Sequence, residues 1–262
     1  MSCQSSVLGL QLFTDGTVAL FAETPSNPIL KITDLRAVAE LGRRRGLLTL
    51  IDNTFMTPYL QRPLEVGFDV VLHSATKFLG GHSDLIAGLA VVRDAELGKR
   101  LKRIQNAFGA ILGPQDSWLV LRGIKTLAAR MDAQQKTAEA LARWLSEEPG
   151  VEKVYYPILP QHPGAEVHRA QAAGGGAVVS FELPGGETAR RFLKAVRLPL
   201  LAVSLGGVES ILSYPATMSH AAMPREERLA RGISDGLVRL SVGLESYEDL
   251  RADLEQALGA AR

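Results

Sequence analysis

The sequence predicts an α/β fold: a mostly parallel sheet in the first half, followed by a smaller α+β unit. Three observations point there. Apolar runs alternate with helical stripes up to about residue 92. A stretch from Pro114 to about Glu147 contains no glycine or proline except Gly123. Beyond Pro149-Gly150 the pattern becomes short strands mixed with helices. These shifts divide the 262-residue chain into a larger unit, 1–148, ending in a linking helix, and a smaller one, 149–262.

The elements follow in order. Val18–Ala22 reads as a buried strand. Asp34–Arg45 carries Leu35, Val38, Ala39 and Leu41 at helical spacing, and Gly46 ends it. Leu47–Ile51, Asp69–His73 and Ile86–Val92 read as three further strands. Strands alternating with helices predict a parallel sheet covered on both faces. Ile124, Leu127, Ala128 and Met131 keep helical spacing, as one long helix or two abutting ones. Val151–Tyr155, Ala177–Leu183 and Leu237–Val242 read as strands and Glu187–Val196 as a helix. Tyr247–Ala261 is a closing helix with Ser246 as its N-cap.

Composition narrows the function classes. Lys plus Arg is 29 and Asp plus Glu is 28, so there is no cationic footprint for nucleic acid or an anionic membrane. The one cysteine, Cys3, permits no internal disulfide and fits a reducing compartment. The start lacks a signal-peptide pattern, and no apolar run approaches the roughly 18 residues of a membrane span. A cytoplasmic protein is the expectation. His162 and His168 have neither a nearby cysteine nor a third ligand, which argues against zinc. Nucleotide-binding glycine motifs and a G-x-S-x-G elbow are missing, and Gly174-Gly175-Gly176 reads as a plain loop.

The segment HSATKFLGGHSD, His73–Asp84, carries the chemistry. Parallel sheets place ligands beyond the carboxyl ends of their strands. Asp52 and Ser74 fall at two such ends, with Lys77 three residues after Ser74. A lysine amine can form a Schiff base with a carbonyl when desolvation and nearby positive charge lower its pKa. If that carbonyl belongs to pyridoxal 5′-phosphate, Ser74, Thr76 and backbone N–H groups could hold the phosphate. Asp52 could keep the ring nitrogen protonated, and Gly80-Gly81 would let the backbone turn close to the ligand. Taken singly, each residue is ordinarily a solvated charge, a cap or a turn; their joint placement supports the cofactor reading.

Four ordered motifs resemble a known family: ETPSNPILKITDL (Glu23–Leu35), the run from Asp52 to Gly88, AVSLGGVESILSYPATMSH (Ala202–His220) and GISDGLVRLSVGLE (Gly232–Glu245). They are similar to the Cys/Met-metabolism family of pyridoxal-phosphate enzymes, which includes cystathionine γ-synthase, γ-lyase and β-lyase and methionine γ-lyase. The resemblance runs from about Val18 to the end and implies fold type I of these enzymes. It implies that Lys77 carries the cofactor, that Asp52 partners the pyridine nitrogen, and that Ser74 and Thr76 hold the phosphate. Asn27 matches the asparagine near the cofactor's phenolic oxygen and the substrate carboxylate. Ser204 and Arg239 match positions that take the α-carboxylate. An amino-acid substrate and a homo-oligomer, tetrameric in full-length relatives, are implied as well.

Among the siblings, Val203 stands where γ-synthases and γ-lyases often have glutamate. The string Tyr155–Gly176 together with Met218–Pro224 is most similar to cystathionine β-lyases. The expectation is β-elimination from cystathionine to homocysteine, pyruvate and ammonia, with γ-elimination, γ-replacement or methionine γ-lyase activity as alternatives. The family carries well over a hundred residues before its ETPSNP-like motif, so the sequence is also expected to be N-terminally truncated, and an inactive fragment is a further alternative.

Overall fold

The computed structural model describes residue 14 and residues 16–262. Ten helices and nine strands are formed among the described residues, and the strands make two sheets.

The first sheet has the order β1 (Ala19–Glu23), β2 (Leu48–Asp52), β3 (Val70–Ser74), β4 (Gly88–Val92). β1, β2 and β3 are parallel, and β4 returns antiparallel to β3. The connections are helical: α1 (Leu35–Arg45) between β1 and β2, then α2 (Thr57–Leu60) and α3 (Pro63–Val66) between β2 and β3. α1 forms where predicted because both ends are capped. Asp34 accepts a hydrogen bond from the Ala37 N–H at 3.0 Å, and Gly46 closes the helix at φ 63°. Its Leu35 and Ala39 pack on Ile51, Phe68 and Val71, a small core on one face of the sheet. Burying each large side chain there contributes roughly 1.5–3 kcal/mol.

Among the described residues, coverage of both faces, expected from the alternating pattern, is not found. In a parallel register, paired residues point to the same face. The face opposite α1 leaves Phe21, Leu48 and Ala90 exposed. Apolar periodicity marks a strand, but it does not say which of its faces another element will cover.

After β4 come α4 (Ala95–Phe108), α5 (Pro114–Ile124) and α6 (Leu127–Leu145). The long helical stretch is thus two abutting helices. The break falls at Lys125-Thr126, where the Thr126 N–H returns to the Gly123 carbonyl at 3.2 Å. α6 joins two cores: Leu127 and Met131 pack with the first-sheet loops, and Ala138, Leu141 and Leu145 with the second sheet.

The remaining elements are β5 (Lys153–Tyr155), α7 (Ala165–Gln171), β6 (Val178–Glu182), α8 (Gly185–Ala195), β7 (Leu200–Leu201), β8 (Ile211–Ser213), α9 (Arg225–Ala230), β9 (Leu237–Ser241) and α10 (Tyr247–Ala261). The second sheet runs β5-β6-β9-β8-β7, antiparallel except for β7 beside β8. α6, α8 and α10 contribute to its core, where Phe181 and Phe192 meet edge to face at 5.6 Å. The Ser246 hydroxyl caps α10 at the Asp249 N–H, as predicted. Among the described residues no helix is long and apolar enough to cross a membrane.

The Gly174–Gly176 loop is tighter than a plain loop. A Cβ on Gly175 would lie 2.5 Å from the Tyr156 ring, so the chain passes directly over that buried tyrosine.

Candidate active site

The carboxyl ends of β1, β2 and β3 deliver Glu23, Asp52 and Ser74 to one rim. Glu23 pairs in register with Asp52, so both carboxyls lie on the same sheet face. An Asp52 oxygen accepts from the Thr54 N–H at 2.9 Å, and the Thr54 hydroxyl accepts from the Ser74 N–H at 2.8 Å. The Ser74 carbonyl accepts from the Lys77 N–H at 3.1 Å, a turn that starts the lysine loop.

Lys77 Nζ donates to the Ser204 hydroxyl at 3.0 Å. Ser204 stands on the loop between β7 and β8, and its carbonyl accepts from Arg239 Nη2 at 2.8 Å. Arg239, on β9, donates from Nη1 to the Asn27 side-chain oxygen at 2.7 Å. Asn27 lies in the loop after β1, and its N–H donates to the Glu23 carboxylate at 3.2 Å. The links therefore form a ring: Asp52, Thr54, Ser74, Lys77, Ser204, Arg239, Asn27 and Glu23, closed by the strand register between Glu23 and Asp52.

Thr76 sits beside this ring with its hydroxyl engaged. It accepts from the Ala87 N–H at 3.0 Å and donates to the Ala87 carbonyl at 3.3 Å, tying the lysine loop to the start of β4.

The electrostatics suit a reactive amine. Burial, then the Arg239 charge, lowers the Lys77 pKa. Arg239 is 3% exposed, and burial pushes it down to about 10. Among the described residues its contacts are neutral oxygens, and its Nε has no partner. A buried guanidinium with an orphaned N–H is costly unless a carboxylate completes it. Glu23 is raised, chiefly by burial and further by Asp52.

The glycine pair after Lys77 does turn tightly, but it approaches protein rather than the rim. A Cβ on Gly81 would fall 2.2 Å from Arg130 Nη1. Arg130 is buried in α6 and donates to the carbonyls of Phe78 and Gly123 and to the Thr126 hydroxyl. It locks the lysine loop against α5. Gly206, at φ 79°, brings the loop of Ser204 onto the same segment; a Cβ there would lie 2.6 Å from the Phe78 nitrogen.

All seven residues expected from the sequence thus gather at one rim. Thr54, Glu23 and Arg130 belong to the same assembly and were not singled out. Thr54 and Glu23 lie inside the motifs without any chemical signal of their own. Arg130 interrupts an apolar helical stripe, the one hint of a buried cation.

The donor set fits pyridoxal phosphate: an amine of lowered pKa, a carboxylate at a neighbouring strand end, and a serine at the head of the lysine loop. The comparisons agree. The pattern described as "Cys/Met metabolism PLP-dependent enzyme" matches residues 10–259. Cystathionine β-lyase MetC of Bacillus subtilis (strain 168) is 61% identical over 242 residues, 92% of this chain and 62% of that protein. Cystathionine γ-lyase of the same organism is 52% identical over 242 residues, 92% of this chain and 64% of that protein. A crystal structure of cystathionine γ-lyase from Lactobacillus plantarum complexed with L-serine superposes with a TM-score of 0.93 at 47% identity, covering 96% of this chain and 66% of that one. The chain spans less than two thirds of the length of each of these relatives. With the lysine rim, the fold and the match over nearly all its length in agreement, the chain belongs to the Cys/Met metabolism PLP-dependent enzyme family.

Proposed function

We propose that this chain carries the active site of a pyridoxal-phosphate-dependent carbon–sulfur lyase acting on cystathionine by β-elimination. The observation that carries the reading is the Lys77 amine, its pKa lowered, next to the buried Arg239 whose Nε has no partner among the described residues. When bound, the cofactor supplies an electron sink that stabilises negative charge at the substrate Cα. Lys77 is the residue that would carry it. Asp52 would pair with its ring nitrogen, and Ser74 and Thr76 with its phosphate.

The chain's own groups supply the rest. Arg239 would grip the α-carboxylate, with Asn27 and Ser204 fixing the plane of its guanidinium. That grip orients the Cα–H toward Lys77. Freed when the substrate's own amine takes its place, the Lys77 amine, favoured in its neutral form by burial and by Arg239, would take the Cα proton. Ser204, within hydrogen-bond distance of Nζ, holds the amine in place. Loss of the thiolate from Cβ, its protonation to homocysteine, and hydrolysis of the remaining three-carbon unit by one water then give homocysteine, pyruvate and ammonia.

Two observations favour β- over γ-elimination. A cystathionine β-lyase is 61% identical, against 52% for a γ-lyase. Val203, 69% exposed beside Ser204, offers no carboxylate to a distal ammonium. Product analysis from cystathionine tests this: pyruvate is expected, and 2-oxobutyrate would overturn the β-lyase reading. Lys77→Ala is expected to abolish turnover. Arg239→Lys should raise KM about 10–100-fold, the scale of a lost bidentate charged contact. A homotetramer, read by light scattering, belongs to the same proposal.

A further inference from the structure

We propose that Glu23 is a positioning residue for the carboxylate grip: its carboxyl pins the Asn27 main chain, and through Asn27 the aim of Arg239. The inference rests on Arg239 being the α-carboxylate anchor.

A carboxyl at the end of β1 is an expensive choice. Glu23 is partly buried, lies in register beside Asp52, and forms no ion pair among the described residues. Desolvation and a neighbouring like charge both disfavour an ionised carboxylate. One contact offsets that cost: Glu23 Oε1 accepts the Asn27 N–H at 3.2 Å.

That contact has a specific reach. The loop after β1 is fixed elsewhere by the Leu30 N–H to the Ser26 carbonyl, the Thr33 N–H to the Thr24 hydroxyl and the Ser180 hydroxyl to the Pro28 carbonyl. At residue 27 itself the main-chain N–H is held by Glu23. The Asn27 side chain then holds Arg239 Nη1 at 2.7 Å, the shorter of that guanidinium's two hydrogen bonds. Without the Glu23 acceptor, the loop stays closed but residue 27 is released, and one prong of the guanidinium loses its reference point. Asp52, Ser74 and Lys77 are tied together through Thr54 and the lysine turn, away from Asn27. Cofactor loading should therefore survive while the carboxylate grip weakens.

The test uses the full chain loaded with pyridoxal phosphate and propionate as probe, a carboxylate without an amine to condense. Propionate dissociation constants are measured by calorimetry, and cofactor affinity by absorbance. Glu23→Ala is expected to weaken propionate about fivefold, the scale of one net hydrogen bond, and to weaken the cofactor by less than that, because Asp52, Ser74, Thr76 and Lys77 stay in place. Glu23→Met replaces it should the alanine protein fail to fold. Glu23→Gln, which keeps an acceptor oxygen but no charge, is expected to bind propionate within twofold of the parent. Equal losses in the glutamine and alanine proteins would overturn the inference, because charge rather than the Asn27 contact would then matter. Unchanged propionate binding in Glu23→Ala, with weakened binding in Arg239→Lys, would overturn it while leaving the Arg239 reading intact. Absence of saturable propionate binding in the parent, or binding indifferent to Arg239→Lys, would overturn both.

Discussion

Acidification should destabilise this protein through His162. The ring is 4% exposed, and burial pushes its pKa down to about 4, against a weaker opposing contact with the Pro163 backbone. In the unfolded chain the same ring titrates near its ordinary value of 6.5. A depressed folded pKa contributes stability that is fully present above the unfolded pKa. It is lost as pH falls toward the folded one, because only the unfolded state gains the proton. Working the linkage from 6.5 and about 4 gives a loss of about 2 kcal/mol at pH 5 relative to pH 8. For a chain of this size that corresponds to roughly 5 °C in Tm. His73, His168 and His220, all lowered mainly by burial, act in the same direction. The assay is therefore a difference. Thermal unfolding is followed by far-UV circular dichroism at pH 8 and pH 5 for the parent and for His162→Gln. The parent should lose about 5 °C more between the two pH values than the variant. An equal loss in both proteins would refute the assignment of that acid sensitivity to His162.

Two substitutions probe how the lysine loop is held. Gly206→Ala puts a Cβ against the Phe78 backbone at a φ of 79°, and should weaken pyridoxal-phosphate affinity at least tenfold by absorbance titration. Parent-like affinity would show that the two loops can separate without disturbing Lys77. Arg130→Met leaves the Phe78 carbonyl without its donor and removes one of several donors to the Gly123 carbonyl, which keeps Thr126; it should cost about 2 kcal/mol in urea unfolding, where a loss under 1 kcal/mol would count against Arg130 as the lock.

Much of the fold was legible because its signals are local. Asp34 and Gly46 bracket α1 through hydrogen bonds within a few residues, and Ser246 starts α10 in the same way. Runs such as Leu48–Asp52 and Val178–Glu182 declare strands by composition within a residue or two of their ends. The short elements β7, β8, α7 and α9 escaped reading, because two to seven residues carry too little periodicity to rise above their loops.

The site divides along the same line. Asp52, Ser74, Thr76 and Lys77 belong to consecutive strand ends, so the order of β2 and β3 already puts them on one rim, and the motifs identify the chemistry. By itself, then, the sequence determined the family, the fold class and the residue types at that rim. Tertiary structure alone decided that Ser204 meets the Lys77 amine, that Glu23 stands beside Asp52 and, among the described residues, that Arg239 lies buried without a carboxylate partner and that one face of the first sheet is left exposed. Contacts between residues 127 or 212 positions apart, as at Lys77–Ser204 and Asn27–Arg239, depend on how the second sheet docks on the first. That docking comes from burying side chains shared by several elements, a sum over many contacts that no short stretch of chain encodes.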